Sequence, residues 1–111
     1  MGYFRHHAIV VTSWDNKKIA LVHECIKTLV TDSLLKVSEL TAQTMNGYQS
    51  FFIAPDGSNE GWTDSDESEV LRGKVIEHLK SYRYEDGSTS IEWVEVQFGD
   101  ENGVQKVLSA S

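Results

Sequence analysis

The strongest constraint on what this chain can fold into is an alternation of period. Two stretches repeat their apolar residues every three to four positions, and each is flanked by β-branched runs or runs that alternate every second residue. The first run, Ala8-Ile9-Val10-Val11-Thr12, is unpunctuated and reads as a buried central strand. Asp15 or Asn16 is placed to cap a helix over about Lys17 to Val30. Ile19, Val22, Ile26 and Leu29 or Val30 share one face of it, Leu21 and Cys25 widen that stripe, and Lys17, Lys18, Glu24 and Lys27 face water. A strand near Leu34 to Ser38 returns the chain.

Glu39 to Met45 reads equally as extended chain or loop, and Asn46-Gly47 is a turn signal. Tyr48 to Ala54 follows as a strand that Pro55-Asp56-Gly57 stops, and an acidic loop runs on to Asp64. The second helix, about Asp66 to Tyr82, sets Leu71, Val75, Leu79 and Tyr82 on one face. Acids at its start, with Lys74, Lys80 and Arg83 later, agree with the helix dipole. Ser90 to Phe98 alternates, with Val94, Val96 and Phe98 on one side and Ile91, Trp93, Glu95 and Gln97 on the other. Gly99 to Gly103 closes a hairpin to a last strand, Val104 to Ser109.

The order β-α-β-β-α-β with an added C-terminal strand implies an α+β fold of ferredoxin-like, split β-α-β type. Both helices should lie on one face of the sheet, in a single domain over residues 1–111. The opposite face is expected to be open and to carry Ile91 and Trp93, an exposed aromatic of the kind that meets a ligand or a second copy.

Composition narrows the function classes. Ten Lys and Arg against seventeen Asp and Glu give a net charge of −7, which repels a phosphate backbone and disfavours direct nucleic-acid binding. The same balance keeps a small protein dispersed, or offers an acidic surface to a basic partner. Cys25 is the single cysteine, which fits a reducing cytoplasm better than secretion. No stretch is apolar for long enough to span a bilayer, and the N-terminus lacks a signal-peptide pattern, so no membrane partner is expected.

Candidate chemistry is sparse. Asp56, Ser58, Glu60, Gly61, Asp64 and Glu67 stand at the spacing of an EF-hand calcium loop, whose oxygen ligands suit a hard cation. The loop is entered from a strand through Pro55, however, and Thr63 stands where an aliphatic residue is usual, so a solvated helix-capping turn is the plainer reading. His6, His7, His23 and His78 show no zinc-ligand spacing. Cys25 lies mid-helix among apolar residues, where a thiol is a core filler. No phosphate-binding glycine motif or nucleophile elbow occurs, so no cofactor and no enzyme activity are expected.

Binding is left. Tyr48, Trp62, Tyr84 and Trp93, with Arg72 and His7, are the candidates for stacking on a base and pairing with a phosphate. The stretches His6-His7-Ala8-Ile9-Val10-Val11-Thr12-Ser13-Trp14, Asn46-Gly47-Tyr48-Gln49-Ser50-Phe51, Pro55-Asp56-Gly57-Ser58-Asn59-Glu60-Gly61-Trp62 and Glu92-Trp93-Val94-Glu95-Val96 resemble small uncharacterised bacteriophage-encoded proteins. That resemblance implies an accessory protein of the bacterial cytoplasm, with antagonism of host defence a common role. The leading expectation is a non-enzymatic binding protein, a homo-oligomer, that sequesters a nucleotide-like ligand. The alternatives are an acidic inhibitor that fills a basic, nucleic-acid-binding groove of a protein partner, and a calcium module built on the 56–67 loop.

Overall fold

The computed structural model describes residues 6–57, 63–99 and 105–111. Its elements run β1 (His6–Ser13), α1 (Asn16–Leu29), β2 (Lys36–Val37), a 3-10 turn (Met45–Gly47), β3 (Gln49–Ala54), α2 (Thr63–Lys80), β4 (Glu92–Phe98) and β5 (Lys106–Ala110). The strands form one antiparallel sheet in the order β2-β3-β1-β4-β5. The fold is therefore α+β, with β1 at the middle of the sheet and β3 between the two strands that α1 connects.

Asp15 is the residue that caps α1, its carboxylate accepting the Lys18 amide at 3.1 Å. Ile19, Val22, His23 and Ile26 form its buried face. Leu21 does not widen that face, being 58% exposed. At about 100° per residue it lies about 200° around the helix from Ile19, on the outer side. The inner stripe of α2 is Ser68, Arg72, Val75, Ile76 and Leu79. The C-terminal half of α2 thus covers apolar core, while Arg72 at the middle of the helix brings a guanidinium against the sheet.

β2 is shorter than its sequence suggests, but the chain beyond it stays alongside β3. The Ser38, Thr41 and Thr44 amides donate to the carbonyls of Phe52, Ser50 and Tyr48. His23 donates its Nε2–H to the Ser38 carbonyl at 2.8 Å and sets its ring edge-on to Phe51, pinning this stretch to α1. The reversal into β3 falls at Asn46 and Gly47, whose φ of +62° and +74° are values that Asn and Gly tolerate.

Register then decides what each side of the sheet holds. Ile9 pairs with Ile53, and Val11 pairs with both Phe51 and Trp93. These five join Ile19, Val22 and Ile26 of α1 and Val75, Ile76 and Leu79 of α2 in one core. The expectation that Ile91 and Trp93 lie on the open face is overturned, since they are 0% and 4% exposed within that core. Val94, Val96 and Phe98 occupy the uncovered side instead. Among the described residues the Trp93 indole N–H has no acceptor. Leaving it unpaired costs about 1–3 kcal/mol, whereas burying about 200 Å² of indole at about 25 cal/mol per Å² returns about 5 kcal/mol. The ring goes inside.

Candidate binding surface

The uncovered face of the sheet is built from every second residue of its strands, and the pairings arrange them in rows. Phe52, Val10, Val94 and Ala110 make one row across four strands. The next comprises Lys36, Ala54, Ala8, Val96 and Val107. His6 and Phe98 pair beyond it, their rings 5.4 Å apart. At the other end Ser50, Thr12 and Glu92 form a polar row, in which the two hydroxyls are 2.8 Å apart. Val10, Phe52, Phe98 and Val107 are 41%, 44%, 36% and 62% exposed. Large apolar side chains exposed side by side, rather than scattered, mark a contact surface.

A second feature lies on the helix side of the sheet. His7, Arg72, Glu95 and Leu108 line a cleft of about 310 Å³ together with Glu69, Gly73, Ile76 and Glu77 of α2. Arg72 is only 5% exposed. Burial lowers its guanidinium pKa, and the nearby carboxylates of Asp56, Glu95 and Glu69 act against that shift. Glu95 also accepts the Ser109 hydroxyl at 3.0 Å, from the irregular stretch where β5 is out of step with β4. Two of the sequence candidates, His7 and Arg72, thus meet in one cleft, but carboxylates outnumber the cation there and disfavour a phosphate.

The other candidates do not join them. Tyr84 is exposed and takes Lys18 against its ring, with Nζ 4.7 Å from the ring centroid. Tyr48 is half-buried beside the turn into β3. Trp93 is in the core, only 4% exposed. Trp62 falls outside the described residues, as do Ser58 and Glu60 of the calcium-like loop. Of that loop's remaining positions, Asp56 lies near Arg72, whereas Asp64 and Glu67 share a different cleft with Asp32, Ser33 and Leu71. Among the described residues no group of three His, Cys, Asp or Glu is placed to hold a metal ion.

Cys25 has a neighbour that the sequence did not reveal. Its thiol meets the Tyr82 hydroxyl, which lies 2.9 Å from His78 Nε2. Burial raises the Tyr82 pKa and Cys25 raises it further. The chain of contacts ties α1 to α2.

The acids missed as a group are those of α2. Asp64, Asp66, Glu67, Glu69 and Glu77 are all exposed on that one helix, with Lys74 as the exposed base among them. The clue in the sequence was the density of acids from Asp64 onward, which reads equally as helix capping. No helix among the described residues is long and apolar enough to cross a membrane. Comparison of the chain with protein-family models, with curated proteins and with solved structures finds no match.

Proposed function

We propose that this protein works by binding, as a non-enzymatic antagonist that presents an acidic helical side to a basic surface of a protein partner. The observation that carries the reading is a base-free run of exposed acids, Asp64, Asp66, Glu67 and Glu69, in the first half of α2. Within the strands, the open face bears one acid, Glu92, and one base, Lys36, whereas α2 exposes five acids, at Asp64, Asp66, Glu67, Glu69 and Glu77. An acid-rich helix start of this kind steers association with a basic groove and competes with the phosphate backbone that such a groove holds. The likeness to small phage-encoded proteins supports a bacterial component as the target, in the cytoplasm. The strand order β2-β3-β1-β4-β5, with antiparallel neighbours, supports assignment of the fold to the ferredoxin-like type with β5 added beside β4.

The test is affinity capture from a bacterial extract at rising salt. Basic proteins should be retained at low ionic strength and released as it rises, because exposed charges are screened within about 8 Å at physiological salt. The triple variant Asp64→Asn, Asp66→Asn, Glu67→Gln keeps side-chain shape and helix-start preference, and should lose most of the captured protein without losing its melting transition. Retention that ignores both salt and the triple variant would sink the reading.

A further inference from the structure

We infer that the open face of the sheet is covered in solution by the same face of a second copy, forming a two-fold symmetric dimer with β1 near the axis. The inference is independent of the acidic-side reading, since it concerns the opposite side of the molecule.

Three features of the face point to that occupant. The first is area. The strands β1 to β5 hold 8, 2, 6, 7 and 5 residues, and at about 3.3 by 4.8 Å each they cover on the order of 440 Å² in projection. The accessible area of a ridged face is larger, and interfaces run from under about 600 Å² to about 800 Å² or more from each partner. The face therefore has the extent of a dimer contact at the small end of that range, and its two central rows are apolar apart from Lys36 at the β2 end.

The second feature is charge. Each copy carries −7, yet within the strands this face bears only Glu92 among the acids, at its polar end. Two copies stacked here bring no row of like charges together, whereas contact through the α2 side would oppose acid to acid. Lys36, at the far edge of the same face, supplies a base of opposite sign.

The third feature is shape. A sheet face without a helix over it matches another sheet, which packs about 10 Å away with strands turned by about 30°. Association through strand edges is hindered at both ends of this sheet. β2 has two residues, and β5 is out of register with β4 between Glu95 and Val96, an irregularity that blunts an edge. A closed two-fold contact also places residues near the axis against their own counterparts. Val10, at the middle of the central strand, is such a residue.

The experiment is sedimentation equilibrium of the full chain over a wide range of concentration. The expected mass is twice 12.5 kDa. The double variant Val10→Glu, Val94→Glu places charges at two cross-strand neighbours, exposed Val10 and half-buried Val94, and should run as the monomer with an unchanged circular dichroism spectrum. Its dimer dissociation constant should rise by at least about 100-fold, since the two carboxylates would be desolvated on closure. Should that variant fail to fold, Val10→Cys in a Cys25→Ser background reads the same contact on an intact face, and mild oxidation should give a disulfide-linked dimer in high yield. A wild-type mass of 12.5 kDa throughout, a double variant that stays dimeric, or a Val10→Cys chain that resists cross-linking overturns the proposal.

Discussion

Tyr82 and Tyr84 stand two residues apart, and their surroundings push their hydroxyls in opposite directions. Burial raises the Tyr82 pKa, with Cys25 adding to the effect, while proximity to Ser90 and a hydrogen bond from Lys18 at 3.3 Å lower that of exposed Tyr84. In an alkaline titration followed by tyrosinate absorbance, Tyr84 should ionise before Tyr82. Tyr84→Phe should remove a phase below the ordinary tyrosine value, Tyr82→Phe one above it, and Lys18→Gln should move the Tyr84 phase upward. The stability consequences have opposite sign. Below the ordinary tyrosine value near 10, the folded chain releases the Tyr84 proton before the unfolded chain does, so this group adds stability as pH rises. Above that value the unfolded chain releases the Tyr82 proton first, so stability falls. A single phase containing both tyrosines would contradict the contacts described for them. Neither environment could be read from the sequence, where Tyr82 was a helix-face residue and Tyr84 a loop aromatic. What separates them is where Cys25 and Lys18 on α1 arrive, and that depends on how the helices cross.

The helices were largely legible as elements, because a stripe at 3.6 spacing and a capping carboxylate are local signals. Ile19, Val22 and Ile26 fall inside as their spacing implies. β4 was legible as a strand but not in its orientation. Both of its faces carry apolar residues, and counting favoured Val94, Val96 and Phe98 as the inner set. What turned Trp93 inward was a long-range match: Glu95 and Gln97 go inward with it, and Arg72 of α2 lies where it can neutralise Glu95. A pattern along one strand does not contain that partner. The same helix carries an element-scale prediction. Gly73 lies within α2, and a Cβ added there meets nothing within 4 Å. Glycine inside a helix costs about 0.5–1 kcal/mol relative to alanine. Gly73→Ala should therefore raise stability by about that amount in urea unfolding, with an unchanged slope against denaturant. Destabilisation instead would mean that the cleft between α2 and β4 is narrower at Gly73 than described.

At the scale of the whole molecule, two sides of one sheet respond to ionic strength in opposite senses. Copies that meet through the apolar face must approach while each carries −7, so their long-range interaction is repulsive although the contact itself is nearly uncharged. Screening shortens that repulsion from about 30 Å at 0.01 M salt to about 8 Å at physiological strength. The dimer should therefore tighten severalfold over this range in sedimentation equilibrium, and tighten further in sulfate, which strengthens apolar burial. Capture of a basic partner by α2 should weaken over the same range, because there the long-range interaction is attractive. The pairing of the two trends separates this arrangement from its nearest rival. Were Lys36 and Glu92 to hold the copies together as ion pairs, salt would loosen the dimer along with the partner. Were α2 to form the dimer contact, the Asp64→Asn, Asp66→Asn, Glu67→Gln variant would strengthen self-association. Only an apolar contact on the sheet side gives a dimer that salt tightens and that, at physiological salt where the long-range repulsion is screened, neutralising the α2 acids leaves nearly unchanged.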